Sequence, residues 1–320
     1  MPHTNFEELK QAEAKYFDRI ADIRTTNGHI PLEADIRRAT KFIPKRTDKL
    51  KLPPIDPKLN AILDGHARDH YISWVAHKPG GRVLDIGCGS GWLALELGRR
   101  GQRVDAYDIS PKAIALAKRM LAENPYHDGF GEVNYYLQDV TKVDLGEEKY
   151  DAVSGWSAFH HLPDLPAFLK RVWRALKPSG IVATMDDMPR GMLEKGLEYF
   201  LYLILPTYSR SYLEKLSLAF QLITGKRQFP AEFLTPMEEA KHSSVEDIDR
   251  IWHEQFEIVM NIRQNAFVGL PATYLLGPDS FKYTTAQALV ALDRFLCYLG
   301  IVKGFDRKMI ARKRVPVSKV

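Results

Sequence analysis

The stretch Val83-Leu84-Asp85-Ile86-Gly87-Cys88-Gly89-Ser90-Gly91-Trp92-Leu93 restricts the fold more than any other part of the chain. Val83 to Ile86 is a short apolar run bounded by glycine, which reads as a buried strand. Three alternating glycines follow, and from Trp92 to Arg100 the apolar residues recur at helical spacing. Strand, glycine turn and helix start bring free main-chain N–H groups and the positive end of a helix dipole to one point. Glycine lets the backbone take positive φ there and lets a ligand approach the amides closely. The spacing argues against a dinucleotide pyrophosphate, whose G-x-G-x-x-G turn would need its third glycine at Trp92. Asp85 at the strand end is poor company for a phosphate and suits a cationic or hydrogen-bond-donating group.

A second short strand, Arg103 to Tyr107, ends at Asp108. This acid lies about twenty residues past the glycines, where a carboxylate accepts hydrogen bonds from ribose hydroxyls. Taken together, these residues resemble the class I S-adenosylmethionine-dependent methyltransferases, in register from about Gly81 to Asp187. Asp85, Gly87, Cys88, Gly89 and Gly91 resemble the first motif of that family, and Asp108 with Ile109 the ribose-binding acid and its neighbour. Gln138-Asp139-Val140 resembles the adenine-side motif, Tyr150 to Ser157 the fourth strand, and Leu176-Lys177-Pro178-Ser179-Gly180 the turn before the fifth. The resemblance implies S-adenosyl-L-methionine as cofactor and S-adenosyl-L-homocysteine as product, with the main chain of Gly155 and Trp156 against the methionine part.

Along the chain, Phe6 to Ile23 reads as a helix with a stripe of Phe6, Leu9, Ala12, Tyr16, Phe17 and Ile20. Tyr16 to Ala21 resembles a segment that closes over the cofactor in quinone-type members. The preferred reading is an ordinary amphipathic helix packed on the core. Arg24 to Pro57 is irregular; its basic run Lys45, Arg46, Lys49 and Lys51 is expected to be a solvated loop, since no aromatic residues interleave to stack on bases. A helix over Pro57 to Ala76 leads into alternating strands and helices, which predict a parallel sheet covered on both faces with ligands beyond the strands' carboxyl ends.

After Asp187 the helices are unusually apolar. Gly191 to Pro206 and Ser211 to Thr224 carry Leu, Phe, Tyr and Ile around much of their circumference. Such helices cover a pocket, or pair two subunits. A helix from Val245, a strand at Phe256 to Met260, further apolar stretches at Ala266 to Leu276 and Ala286 to Leu299, and a final strand at Phe305 to Val315 complete the chain. The expected architecture is α/β, a doubly wound, mostly parallel seven-stranded sheet with a helical cap. Residues 1–78 form an N-terminal cap, 79–187 the cofactor-binding core, 188–303 cap helices with one sheet strand, and 304–320 the last strand and a basic tail.

Methyl transfer from a sulfonium chiefly requires nucleophile and methyl carbon to be aligned in a dry site. A hydroxyl or phenol acceptor also needs a general base. His160 and His161 follow the fourth strand, and Asp186 and Asp187 end the fifth. His160, His161 and Asp186 are therefore the catalytic candidates. Alternatively, one histidine packs under the sheet edge while the other caps the helix near Asp164, and the aspartates serve the next helix start. An adjacent pair on a strand points to opposite faces, so one aspartate at most faces the substrate.

The fourth strand lacks the Asn or Asp, two prolines and aromatic of nucleobase amino-methyltransferases. His160-His161-Leu162-Pro163-Asp164 instead resembles the small-molecule branch that acts on quinones, sterols and phenols. The expected reaction is O- or C-methylation of a small, lipophilic or aromatic acceptor. The alternatives are an RNA or protein methyltransferase and a protein that binds the cofactor without turnover.

Composition sets few limits. The 320 residues hold 45 basic and 40 acidic side chains, a net charge of +5 that permits an anionic partner without requiring one, and no nucleic-acid partner is expected. Two cysteines, Cys88 and Cys297, offer no disulfide framework, and there is no signal-like N-terminus or membrane-length apolar run, so a cytoplasmic protein is expected. The histidines show no metal-ligand spacing, and no metal is expected.

Overall fold

The structure is a computed structural model and describes residues 6–26, 55–224, 235–236 and 245–314. The basic run around Lys45 to Lys51 and the basic C-terminal tail lie outside the described residues. Seven strands form one sheet: β1 Arg82–Ile86, β2 Arg103–Asp108, β3 Glu132–Leu137, β4 Tyr150–Trp156, β5 Leu176–Asp187, β6 Phe256–Gln264 and β7 Asp306–Lys313. Their order is β3-β2-β1-β4-β5-β7-β6. The first five are parallel, and β7 runs antiparallel to both β5 and β6. The chain winds one way from β1 to β3 and the other way from β4 onward, so the switch point lies between β1 and β4.

The central strands are buried along nearly their whole length, as a sheet covered on both faces requires, with successive residues facing opposite sides. Leu84, Val153, Val182 and Met309 pack on one face with Leu169, Val172, Trp252 and Phe256. Val83, Ala183, Met185 and Ile310 pack on the other with Tyr71, Ile72, Leu93 and Ile114. The helices are α1 Phe6–Thr26, α2 Pro57–Asn60, α3 His66–Val75, α4 Trp92–Gly98, α5 Pro111–Ala122, α6 Leu165–Ala175, α7 Met192–Ile204, α8 Tyr212–Ile223, α9 Val245–Gln255, α10 Gly269–Thr273 and α11 Asp279–Tyr298. Local chemistry starts several of them. Ser110 caps α5 by accepting from the Ala113 amide, with Pro111 in the first turn, and Asp164 caps α6 by accepting from Ala167.

The helix expected over Pro57 to Ala76 is interrupted by a π-helical turn at Ala61–Gly65. The wider turn lets the adjacent residues Leu63 and Asp64 both pack inward, Leu63 into an apolar cluster and Asp64 onto the Asn265 side chain at 2.9 Å. β5 begins at Leu176 instead of Ile181. Tyr150 pairs with Leu176 and regular pairing resumes at Ala152 with Ile181, while Ser179 takes φ 64° in the intervening turn.

Candidate active site

A cavity of about 300 Å³ opens at the carboxyl ends of β1, β2 and β4. The glycine turn forms its floor, with Gly87, Cys88, Gly89 and Ser90 in the wall. The turn has positive φ at all three glycines, but they serve different ends. At Gly89 (φ 51°) an added Cβ would meet nothing within 4 Å, so the space beside this residue is open. At Gly91 a Cβ would stand 2.5 Å from the Tyr135 hydroxyl and 2.7 Å from Ala117, so this glycine lets helix α4 pack against α5 and β3.

Asp108 faces Gly89 across the cavity. Its Oδ2 accepts from the Gly89 amide and its Oδ1 from the Ser110 amide, both at 2.8 Å. Burial raises its pKa, and the amides of Ser110, Gly89 and Ile109 oppose that shift. With about four acceptor sites on its two oxygens, the carboxylate keeps capacity beyond these amides, which suits a ribose hydroxyl. Asp139 is held by Lys10 Nζ at 2.6 Å and by the Thr141 hydroxyl at 2.6 Å. Burial opposes its charge, but the hydrogen bonds of Lys10 and Thr141 outweigh it and lower its pKa.

Helix α1 closes one side. Lys10, Glu13, Phe17 and Ala21 line the cavity from a single stripe. Glu13, 2% exposed, places Oε1 2.8 Å from His161 Nδ1, and Phe17 meets the His161 ring edge-on. Asp18 accepts from the Ser110 hydroxyl at 2.6 Å and the Lys112 amide at 3.0 Å, and Lys142 pairs with Glu7 at 2.8 Å.

On the β4 side, Trp156, Ser157, Ala158, His161, Leu162 and Pro163 complete the wall. Trp156 is wedged edge-on between Tyr71 and Trp92, with ring centroids 5.2 and 5.0 Å away. His160 turns away from the cavity. Its Nδ1 lies 2.7 Å from Asp186 Oδ1, Asp186 also accepts from the Thr184 hydroxyl, and the His160 and His161 rings lie 4.1 Å apart, tilted by 43°.

Of the expected cofactor residues, Gly87, Cys88, Gly89, Asp108, Ile109, Gln138, Asp139, Val140 and Trp156 line this cavity. Asp85, Gly91 and Gly155 do not; they stand behind the wall. Asp85, 1% exposed, points to the side of the sheet that carries Tyr71 and hydrogen-bonds Ser154. Its Oδ2 finds no partner among the described residues. Burial and then the nearby charge of Asp108 push its pKa up to about 8. A Cβ at Gly155 would strike the Phe159 ring at 2.7 Å, so that position is set by packing. Of the expected catalytic residues, His161 lies in the wall while His160 and Asp186 pair outside it. Neither histidine caps the helix after Pro163, because Asp164 does so itself.

The contribution of Lys10 and Glu13 was not apparent from the sequence. Their spacing with Phe17 and Ala21 was the available signal, since four residues on one stripe share one face. Among the described residues no group of three His, Cys, Asp or Glu gathers at metal-binding distance. No described helix is long and apolar enough to cross a membrane.

An open approach to Gly89, a half-buried acid at Asp108 bordering the cavity and an adjoining polar wall at Gln138 and Asp139 fit a nucleoside cofactor with a short, charged tail. Residues 83–180 match the family described as "Methyltransferase domain", and the chain carries an S-adenosylmethionine-dependent methyltransferase domain. The chain is 28% identical over 173 residues to the ubiquinone biosynthesis O-methyltransferase of Xanthomonas campestris, covering 48% of this chain and 70% of that protein. It is 28% identical over 176 residues to the protein of the same name from Xanthomonas axonopodis, covering 49% and 71%. Among solved structures, an S-adenosylmethionine-dependent methyltransferase from Mesorhizobium loti superposes with a TM-score of 0.47 at 19% identity, over 80% of this chain and 100% of that one.

Proposed function

We propose that the enzyme methylates a hydroxyl group of a small aromatic acceptor, with His160 as general base and Asp186 holding it. The observation that carries this reading is the 2.7 Å contact between His160 Nδ1 and Asp186 Oδ1 at the adjoining ends of β4 and β5. His160 lies outside the lining of the cofactor cavity, next to His161 in its wall, and a base for a hydroxyl acceptor is needed at that border. His161, in the wall and held by Glu13, is assigned to closing the cavity. The similarity to O-methyltransferases of ubiquinone biosynthesis supports a phenolic acceptor with a lipophilic substituent.

When bound, S-adenosylmethionine supplies an electrophilic methyl group on a sulfonium with a good leaving group. The residues around it then have four tasks. Asp108 would hold the ribose hydroxyls, Gly89 would let the cofactor approach the main chain, and Gln138 and Asp139 would border the adenine. Asp186, as a carboxylate, accepts the Nδ1 proton of His160, fixing the tautomer that leaves the basic lone pair on Nε2. Nε2 would take the acceptor's hydroxyl proton as the oxygen attacks. The Trp92, Trp156 and Tyr71 rings and helix α1 exclude water, which strengthens electrostatic effects inside the site.

The test is turnover of catechols and hydroquinones, with and without a prenyl chain, by wild type, His160→Ala and Asp186→Asn. General-base loss is worth roughly 10²–10⁴ in kcat. The expected result is a fall of that size for His160→Ala with cofactor affinity unchanged, and loss of the acidic limb of the pH–rate profile. A fall below about threefold would remove His160 from the chemistry.

A further inference from the structure

Helices α7 and α8 are turned inside out. A surface helix normally buries its apolar stripe and exposes its charges. In α7 the buried residues are Glu194, Glu198 and Tyr202, while Met192, Leu193, Phe200 and Ile204 are exposed. In α8 Lys215 is buried to 1% exposure beside buried Leu218, and Tyr212, Leu213, Leu216 and Phe220 face outward, Leu213 at 79%. The buried charges are fixed in place. Glu194 accepts the Lys303 amide at 2.8 Å, and Glu198 accepts the Leu270 amide at 2.9 Å and pairs with Arg190 at 2.7 Å. Lys215 donates to the Leu205 carbonyl and lies over the Tyr202 and Tyr212 rings. The face is therefore a fixed product of the fold. Helix α11 buries Asp293 along with Ala286 and Val290, and it exposes Leu292, Phe295 and Tyr298. The Lys303–Glu194 bond brings the chain just after α11, with exposed Ile301, to the first turn of α7.

We infer that α7 and α8 form the contact surface of a homodimer, each packing on the same helices of a second copy. Two quantities select this occupant. With ~150–250 Å² for each large ring, the exposed parts of the eight outward side chains of α7 and α8 amount to on the order of 800 Å². The largest apolar patch of an ordinary monomer is about 300–600 Å², and a stable interface buries about 800 Å² per partner. The charge pattern also decides against an anionic bilayer. Helices that lie on such membranes present Lys and Arg beside their apolar face, whereas the charged residue exposed on α7 and α8 is an acid, Glu214. Aromatic and Met side chains without cations are the composition of an interface core, and a two-fold axis makes one such patch its own complement. This inference does not depend on which acceptor is methylated.

Sedimentation equilibrium of the full chain tests it. The expected mass is twice the 36.5 kDa of one chain. Leu213→Glu with Leu216→Glu should raise the dimer dissociation constant at least ~100-fold and give the single-chain mass. S-adenosylmethionine binding and circular dichroism should stay unchanged, since both side chains are exposed. Leu213→Ser with Leu216→Ser repeats the test without adding charge. A single-chain mass for wild type at about 50 µM, or a dimer that survives both double variants, would overturn the inference. So would a monomer that floats with phosphatidylglycerol–phosphatidylcholine vesicles, which would assign the face to a lipid surface.

Discussion

Asp108 and Asp85 are both acids at strand ends, the first half-buried and the second fully buried, and their environments give them different tasks. Asp108 receives two backbone amides and borders the cavity. Asp108→Ala should weaken S-adenosylmethionine binding by roughly 10–100-fold in calorimetric titration, about 1.4 kcal/mol per tenfold, because charged hydrogen bonding to the ribose would be lost. Gly89→Ala should give a similar loss of binding and also cost about 1–2 kcal/mol of stability, since the new methyl would occupy the open approach and alanine is strained at φ 51°. Asp85 is testable through pH. Its unfolded carboxyl ionises near 4 and its folded one at about 8. Between those values the folded state alone keeps the proton, so stability falls as pH rises. Asp85→Asn should therefore gain on wild type in thermal midpoint from about pH 5 to pH 8 and stay level above that. A difference that is flat across this range would show that Asp85 is ionised in the free protein.

At the scale of elements, helix α1 is held to the site by contacts of unequal value. Glu7–Lys142 and Asp22–Lys112 are largely exposed on both sides and contribute little. Lys10–Asp139, with both side chains under one-fifth exposed, and the Glu13–His161 contact are better shielded from water. Lys10→Ala should speed amide exchange across residues 6–26 and lower cofactor affinity severalfold, while Lys142→Ala should do neither. Hydrogen-exchange mass spectrometry on the two variants separates them. None of these pairings is visible in the sequence, because Lys10 and Asp139 are 129 residues apart and each alone reads as a solvated charge. The glycine turn, in contrast, was legible. Strand, turn and helix lie within eleven consecutive residues, and their conformational demands are local.

For the whole molecule, the edge of the sheet opposite the site carries a stabilising knot. Asp151 receives Lys78 and Lys177 at 2.7 Å and the Arg82 amide at 2.9 Å. Burial opposes its charge, but these partners together hold its pKa well below the usual carboxylate range. Its stabilisation is present above the unfolded pKa near 4 and is lost as pH falls below it. Asp151→Ala should cost about 1–3 kcal/mol in urea unfolding at neutral pH, with the deficit shrinking toward pH 3. A deficit independent of pH would mean that packing, not charge, is what Asp151 supplies.

Period-two apolar runs alternating with period-3.6 helices determined the doubly wound sheet, and the glycines with Asp108 determined where a nucleoside cofactor fits. Those signals are short-range, written in neighbouring residues. The apolar content of the helices at 192–204 and 212–223 was equally plain in the sequence. Which side of them faces outward was not. For the first of them that was decided by the Lys303 and Leu270 amides, brought from a loop 109 residues away and from helix α10 72 residues away, which draw Glu194 and Glu198 inward and leave Leu193 and Phe200 outside. His160 and Asp186 likewise become a pair only because β4 and β5 lie side by side. Tertiary structure decides such points because a buried charge must find a partner, and the partner's position is fixed only when the chain has folded.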